Sequence, residues 1–326
     1  MVAVVWKDIM FVASKISKQR PEGQETMQTT REATAQASLR AFFDEPTNTV
    51  SYLVWDPATK EGAVIDPVLD WDNRSGEADT RSADALLAAA AEEGAAIRYV
   101  LETHAHADHL TAAPYIKART GAQIGIGEHI KDVQRIFRPV FDAEDVKPDG
   151  GDFDLLFRDG ETFPLGSLTV AVMHVPGHTP ADIAYRIGDD VFVGDTLFMH
   201  DYGTARADFP GGDARALWRS IQRLLALPPH TRLWMCHDYK APGRDRYAWQ
   251  STVAEQRAHN PHVKDGTTEE AFVAFRTARD ATLPAPLLLL PSIQVNIRAG
   301  RFPAAESNGV RYLRIPVKAR PSVLAP

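Results

Sequence analysis

The sequence has a single cysteine, Cys236, among 326 residues. A disulfide scaffold, a cysteine-ligated zinc site and an iron–sulfur cluster each need several cysteines, so all three are excluded. An excess of positive charge is also missing, because 43 acidic residues outnumber 36 lysines and arginines and give a net charge of −7. Nucleic-acid-binding proteins usually carry a basic excess, so no nucleic-acid partner is expected. Eleven histidines remain, and they point to nitrogen and oxygen as the ligands of any metal.

Long apolar runs are missing as well. No stretch of 18 apolar residues occurs, and a membrane-spanning helix needs roughly 20 of them. We therefore expect no membrane partner, and the cytoplasm is the default location. Residues 1–38 are expected to form a polar, poorly ordered N-terminal extension, with Met27 as an alternative natural start. Residues 39–326 are expected to form one domain that ends in an irregular tail.

Strand and helix patterns alternate in the first half of this domain, whereas the second half opens with closely spaced strands that favour antiparallel pairing. Strands are predicted over residues 49–56, 62–66, 97–102, 122–127, 168–174, 182–187, 191–193 and 232–236, with an edge strand over 293–297. Helices are predicted over residues 82–93, 109–119, 213–225, 246–259 and 267–280, with Ser82 as an N-cap and a capping box from Thr267 to Glu270. These patterns predict an α/β fold in which two sheets are flanked by helices.

Four potential metal ligands lie within six residues after the strand 97–102, in the motif Thr103-His104-Ala-His106-Ala-Asp108-His109. Residues two apart at a strand end share a face, so His104 and His106 can converge. Asp108 and His109 are expected to begin the next helix and to turn toward the same point. Such a cluster at the end of a strand indicates a metal site.

Three further candidates also follow strand ends. His178 lies after the strand 168–174, Asp195 follows 191–193, and His237 follows 232–236. Ligands in α/β folds assemble where strand ends meet at one sheet edge, so these residues are expected to join the motif. Cys236 is expected to be a buried core thiol whose side chain faces away from this site.

Taken together, His104-x-His106-x-Asp108-His109 with His178, Asp195 and His237 resembles the metallo-β-lactamase superfamily. The resemblance implies an αβ/βα sandwich of two mixed sheets flanked by helices, with the metal at one edge, and makes 39–326 a catalytic domain. Pro176-Gly-His-Thr-Pro, Gly194-Asp-Thr-Leu-Phe and Arg206-Ala-Asp208-Phe209 look like the persulfide dioxygenase branch. The tail from Pro291 resembles the bacterial subgroup of these enzymes and related hydrolase-like proteins. Relatives usually carry Arg-Thr-Asp-Phe, so Ala207 is a departure.

That branch implies one non-haem Fe(II) per chain, bound here by His104, His178 and Asp195, which leaves three positions open. His106, Asp108, His109 and His237 are then expected to orient these ligands or to bind a second metal. The implied reaction oxidises glutathione persulfide, or a similar low-molecular-weight persulfide, with O2 to sulfite and thiol. Relatives often form dimers, so a homodimer is expected.

Substrate contacts are expected from Arg206 and Tyr239. The planar guanidinium of Arg206 suits a carboxylate of the substrate, and Asp208 is expected to support it. The alternative is a binuclear metallohydrolase like glyoxalase II, which acts on a glutathione thioester and uses two zinc ions or mixed metals. All seven ligand-type residues are present, as two metals require.

Overall fold

Fifteen strands and seven α-helices make up the part of the chain that the computed structural model describes, residues 36–318. The strands are β1 (Ser38–Asp44), β2 (Thr49–Trp55), β3 (Glu61–Ile65), β4 (Val68–Asp72), β5 (Glu77–Asp79), β6 (Ala96–Leu101), β7 (Leu110–Thr111), β8 (Gln123–Gly127), β9 (Leu155–Phe157), β10 (Thr162–Leu165), β11 (Leu168–His174), β12 (Ile183–Ile187), β13 (Asp190–Phe192), β14 (Arg232–Trp234) and β15 (Gln250–Thr252). The helices are α1 (Arg81–Glu93), α2 (Ala113–Thr120), α3 (Ile130–Phe137), α4 (Ala214–Leu225), α5 (Val253–His259), α6 (Glu269–Asp280) and α7 (Leu289–Asn296).

Two six-stranded sheets form the middle of the fold. The first has the strand order β1-β2-β3-β6-β8-β9, and the second has the order β10-β11-β12-β13-β14-β15. The ladders from β3 through β6 and β8 to β9 are parallel, as is the β13–β14 pair, and the other ladders of these sheets are antiparallel. A third, small sheet has the order β5-β4-β7. Both main sheets are therefore mixed, as predicted.

Apolar side chains fill three layers between these elements. Tyr52 of the first sheet and Phe192 of the second belong to one buried cluster between the sheets. Leu86 of α1 lies in a second cluster with side chains of the first sheet, α2, α3 and α7. Phe272 of α6 lies in a third cluster with the second sheet, α4 and α5. The order helix, sheet, sheet, helix confirms the predicted αβ/βα sandwich.

The helix predicted over residues 109–119 begins later than expected. Leu110 and Thr111 form β7, which pairs with β4, so Asp108 and His109 lie in a loop rather than in a helix. Pro114 marks the start of α2, since proline fits the first helical turn, where its missing N–H is not needed. The loop is therefore free to aim its side chains independently of a helix axis.

Two predictions in the last third of the chain are also wrong. Residues 250–252 of the helix predicted over 246–259 form β15, which pairs with β14, and α5 starts after Thr252 in a capping box with Glu255. The edge strand predicted over residues 293–297 is instead the end of α7. Its β-branched residues suggested a strand, but Pro291 lies in the first helical turn, where it is tolerated.

Two predicted N-caps are wrong by one or two residues. Thr80 precedes α1, and Ser82 instead bonds to Asp70. Thr268 rather than Thr267 caps α6, since its side chain accepts a hydrogen bond from the Ala271 N–H. The predicted end of α1 at residue 93 is confirmed, and Gly94 follows it with a left-handed backbone, at φ of 67°.

The N-terminal extension predicted over residues 1–38 lies outside the described residues up to position 35. The first strand, β1, starts at Ser38. None of the helices within residues 36–318 is long and apolar enough to cross a membrane.

Candidate metal centre

The metal loop, residues 103–109, follows β6 and carries three fully buried histidines. His104, His106 and His109 are each no more than 1% exposed. One nitrogen of each ring, Nε2 of His104, Nδ1 of His106 and Nε2 of His109, has no hydrogen-bond partner among the described residues. Adjacent rings lie close together, with centroids 3.9 Å apart for His104 and His106 and 4.1 Å apart for His106 and His109.

Two glycine turns bring His178 and Asp195 to the same edge. Gly177 adopts φ of 145°, and a Cβ there would lie 2.2 Å from the backbone nitrogen of Leu217, so α4 packs directly on the turn of His178. Gly194, with φ of 53°, starts the short 3₁₀ turn Gly194–Thr196 that follows β13. Only glycine accommodates these backbone conformations without strain.

The ligand-type residues fall into two groups that share Asp195. In the first, His104, His178 and Asp195 offer ligand atoms that all lie within 4.8 Å of one another. In the second, Nε2 of His237 lies 2.9 Å from Oδ2 of Asp108 and 3.3 Å from Oδ1 of Asp195. His109 belongs to this second group, because its Nδ1 lies 3.4 Å from Asp108. Asp195 therefore lies between the groups.

The donor atoms fit a metal. Oδ1 of Asp195 is buried without a hydrogen-bond partner, like the three nitrogens of the metal loop, whereas Nε2 of His237 faces the carboxylates of Asp108 and Asp195. Buried polar atoms are costly unless they are paired, so these four atoms need a partner that the described side chains do not supply. A cation bound by imidazole nitrogen and carboxylate oxygen supplies that partner.

Electrostatics differ between the two groups. Burial, together with the nearby His106 and His178, lowers the pKa of His104 well below its usual value. For His237, burial also disfavours the charged form, but the carboxylates of Asp108 and Asp195 outweigh it and raise the pKa to about 9. His104 is therefore ready to bind a metal at neutral pH, whereas His237 has to lose a proton first.

A buried polar network supports the metal loop, and the sequence did not reveal it. Asp66, directly after β3, accepts hydrogen bonds from the backbone N–H and hydroxyl of Thr103 at 2.7 and 2.9 Å and from Nε2 of His106 at 3.0 Å. The thiol of Cys236 donates to Asp66 at 3.6 Å. Cys236 is buried, as expected, but the expectation that it faces away from the site is wrong. The proton on Nε2 leaves Nδ1 of His106 free for a metal.

A cavity of about 1060 Å³ reaches the candidate ligands Asp108, His178 and Asp195. Arg206 and Tyr239, named from the sequence as substrate contacts, both line it. Tyr239 is 38% exposed, and its ring stacks on His237 at a centroid distance of 5.7 Å. The cavity thus connects the predicted substrate contacts with the ligands.

Most of the guanidinium of Arg206 is already engaged. Its Nε and Nη2 donate to the two carboxylate oxygens of Asp208 at 2.5 and 2.8 Å, and its Nη1 donates to the carbonyl of Pro284 at 2.7 Å. The backbone carbonyl of Arg206 accepts a hydrogen bond from Nδ1 of His178 at 2.8 Å. Arg206 therefore supports the metal ligand through its main chain as well as lining the cavity.

A second arginine of the cavity wall, Arg279, was not identified from the sequence. Arg279 lies on α6 and forms no ion pair within residues 36–318, in contrast to Arg276, which bonds to Asp280 at 2.6 Å. His262 also lines the cavity and accepts a hydrogen bond from the Thr204 N–H. Both residues lie far from the metal loop in the sequence and belong to no motif, so they could not be predicted.

The chain belongs to the metallo-beta-lactamase superfamily, whose family model matches residues 44–237. It is 54% identical over 293 residues to a probable metallo-hydrolase of Burkholderia pseudomallei, covering 86% of this chain and 99% of that protein. It is 46% identical over 285 residues to glyoxylase B2 of Dictyostelium discoideum, covering 86% and 97%. The predicted family is confirmed.

Two further comparisons concern proteins named ETHE1. The crystal structure of ETHE1 from Myxococcus xanthus matches with a TM-score of 0.65 and 31% identity, covering 81% of this chain and 100% of that chain. The mitochondrial persulfide dioxygenase ETHE1 of Homo sapiens is 28% identical over 266 residues, covering 80% and 88%. The resemblance is therefore to proteins with two kinds of names, hydrolase-type and persulfide dioxygenase.

Proposed function

We propose that the protein is a persulfide dioxygenase that uses one ferrous iron, bound by His104, His178 and Asp195. One observation carries this proposal. The stretch 206–209, whose sequence resembles that branch, contacts the ligand His178 from two sides. The carbonyl of Arg206 accepts the hydrogen bond from His178, and the ring of Phe209 packs at a centroid distance of 5.7 Å from it. The similarity to ETHE1 of Myxococcus xanthus supports the proposal.

The proposed reaction converts a persulfide, O2 and water into a thiol and sulfite. In balanced form, RSSH + O2 + H2O gives RSH + SO3²⁻ + 2 H⁺. The outer sulfur atom loses four electrons, dioxygen accepts them, and the S–S bond breaks. A ferrous iron held by His104, His178 and Asp195 would keep positions open for the substrate and dioxygen, and would supply the electron transfer between them.

The chain's own residues have three tasks in this reaction. The Arg206 carbonyl fixes the tautomer and orientation of His178, since Nδ1 has to carry the proton and Nε2 faces Asp195 at 3.6 Å. Burial of His104 keeps its imidazole neutral and available. His106, Asp108, His109 and His237 orient the ligands, and the carboxylates of Asp108 and Asp195 keep a proton on His237 by raising its pKa to about 9.

The substrate in this proposal carries acidic groups, as glutathione persulfide does. Arg206 offers the two N–H groups that Asp208 and Pro284 leave free, and Tyr239 offers its hydroxyl at the cavity wall. We add Arg279, because it lines the same cavity without a carboxylate partner in the described part of the chain. The proposal also includes a cytoplasmic location and a homodimer.

Oxygen uptake tests the proposal. The protein is loaded anaerobically with Fe(II), its metal content is measured, and glutathione persulfide is added with O2. We expect one iron per chain, one O2 consumed per sulfite formed, and no uptake with a zinc-loaded sample. An iron-loaded protein that consumes no oxygen with glutathione persulfide would rule the proposal out.

The second candidate is a binuclear metallohydrolase that cleaves a glutathione thioester. The intact second group favours it, because Nε2 of His109 is buried without a partner and Nε2 of His237 lies 2.9 Å from Asp108, so the three side chains form a second set of possible ligands. Two metals held by these residues would supply an activated water for the hydrolysis. Two tightly bound zinc ions or mixed metals per chain, with thioester cleavage in the absence of O2, would support this candidate over the first.

A further inference from the structure

Asn296, the last residue of α7, reaches the metal loop from near the other end of the chain. Its side chain is 3% exposed. Its Nδ2 donates to the carbonyls of His106 and His109, both at 2.8 Å, and its Oδ1 accepts the N–H of Thr111 at 3.0 Å. All three hydrogen bonds of this amide therefore go to the backbone of the metal loop and of the strand that follows it.

The two carbonyls that Asn296 holds belong to candidate metal ligands. Nδ1 of His106 and Nε2 of His109 are buried atoms without hydrogen-bond partners. Since a carbonyl fixes the orientation of its peptide plane, the amide restricts the backbone from which each ring extends. No helix or strand fixes this segment, because β7 starts only at Leu110. Asn296 thus replaces the regular hydrogen bonds that the metal loop lacks.

The helix that carries Asn296 is anchored independently of it. Ile293 and Val295 are fully buried in the same apolar cluster as Ala105 and Leu110. The amide of Gln134 donates to the carbonyl of Ile297 at 2.9 Å, so α3 holds the end of α7. Substitution of Asn296 should therefore leave the helix in place and release the metal loop.

We propose that Asn296 is a positioning residue for the metal centre, which sets metal affinity by holding the carbonyls of His106 and His109. This role goes beyond the proposed reaction and does not depend on it, since a hydrolase with the same ligands would need the same loop geometry. Residues that orient ligands through hydrogen bonds typically change metal affinity about 10- to 100-fold when they are replaced. The family match ends at residue 237, well before α7.

The variant Asn296→Asp tests this role, because it keeps the acceptor for Thr111 and removes the two donated hydrogen bonds. Asn260→Asp is the matched control. Asn260 is also buried, donates through Nδ2 to the Gly203 carbonyl at 3.1 Å, and accepts the N–H of His262, but it does not contact the metal loop. Both substitutions add the same carboxyl group to a buried position.

We expect Asn296→Asp to bind Co(II) at least tenfold more weakly than wild type in competition with a chelator, and to shift the visible absorption of the bound cobalt. Asn260→Asp should keep the wild-type affinity within about twofold, even if its thermal stability falls as far as that of Asn296→Asp. Equal cobalt affinity and an unchanged spectrum in Asn296→Asp would show that the residue is only structural. Neither readout requires turnover, so failure here is distinct from failure of the proposed reaction.

Two measurements keep the test decisive if Asn296→Asp does not fold. Asn296→Ser, which introduces no charge, should show the same loss of affinity. In the wild type, metal binding and the docking of α7 are linked, so loading the metal should slow amide hydrogen exchange in residues 289–296 as well as in the metal loop. Unchanged exchange in α7 on loading would overturn the proposal.

Discussion

The main-chain carbonyl of Arg206 holds Nδ1 of His178 at 2.8 Å, while the side chain of the same arginine is fixed by both oxygens of Asp208. The ion pair with Asp208 thus restrains the residue whose carbonyl positions His178. We expect Asp208→Asn to weaken metal binding about tenfold, since His178 loses its fixed orientation. Chelator competition measures this change.

The control for this prediction is Asp265→Asn. Asp265 receives hydrogen bonds from Nε and Nη2 of Arg257 in a similar pair, but on the exposed surface. Its loss should leave metal affinity unchanged. A similar loss of affinity in both variants would contradict the specific role of Asp208.

His104 and His109 are expected to differ when they are replaced. His104→Asn should reduce the iron content to near zero and abolish oxygen uptake, because His104 belongs to the proposed iron ligands. His109→Asn should retain about one iron per chain and lower the rate, because its group only orients ligands. Iron content and oxygen uptake are measured on the same samples. Loss of one of two metals in His109→Asn would instead favour the hydrolase.

Metal affinity should depend on pH in a different way for the two groups. His237 carries a proton below a pKa of about 9, so a metal that binds its Nε2 has to displace that proton. Affinity at the second group should then rise about tenfold per pH unit as the pH approaches 9. His104, whose pKa lies well below its usual value, is already neutral at pH 7 and adds no such dependence to the first group.

Cobalt titrations at about pH 6.5, 7.5 and 8.5 check this difference. We expect a tight component whose dependence on pH is weak near neutrality and a weaker component that strengthens with pH. Two components with identical pH slopes would contradict the assignment of the protonated site to His237.

Arg279→Gln should raise the KM for glutathione persulfide about tenfold with little change in kcat, because a carboxylate contact in the cavity is lost while the metal ligands are untouched. Arg219→Gln is the control, since Arg219 is exposed on α4 and does not line the cavity. Steady-state oxygen uptake measures both constants. An equal KM in both variants would show that Arg279 does not contact the substrate.

Asp56→Asn should destabilise the fold by about 3 kcal/mol. Asp56 is buried and accepts hydrogen bonds from the N–H and hydroxyl of Ser167 at 2.6 and 2.7 Å, from Ala58 at 2.8 Å and from Thr59 at 2.9 Å, which ties the β2–β3 turn to the β10–β11 turn. Urea unfolding measures the loss. Asp149→Asn is the control, because its carboxylate accepts a hydrogen bond from the Gly151 N–H at an exposed turn, and it should change stability by less than about 0.5 kcal/mol.

The loss of stability in Asp56→Asn should depend on pH. Burial opposes ionisation of Asp56, yet the donors of Ser167, Ala58 and Thr59 outweigh it and lower its pKa. Its stabilisation is therefore complete above the unfolded value of about 4 and is lost as the pH falls toward the folded value. The stability difference between wild type and Asp56→Asn should shrink below about pH 4. A difference that stays constant would show that the ionised carboxylate of Asp56 is not what stabilises the fold.

The candidate ligands could be predicted from the sequence because each follows a strand. His178 and His237 follow β11 and β14 with only short segments between, and strand patterns are local. The fold followed from the same alternation. The start of α2 could not be predicted from local pattern, since residues 110–111 pair with β4, some 40 positions earlier.

The supporting residues were not predictable for a related reason. Asp66 bonds to Cys236 across 170 positions, and Asn296 bonds to His109 across 187 positions. A buried Asp or Asn carries no periodic pattern, and its partners are defined only once the sheets have packed. The same holds for α7, whose residues suggested a strand but form a helix against the metal loop.

The distance along the chain between Asn296 and His109 also bears on when the metal can be loaded in the cell. A ribosome adds about 5 to 20 residues per second, so the 187 positions that separate the two residues take roughly 10 to 40 s to synthesise. During that interval the histidines of the metal loop already exist without the amide that holds their backbone. Tight metal uptake should thus be confined to the finished chain, and nascent chains should release metal to cellular chelators.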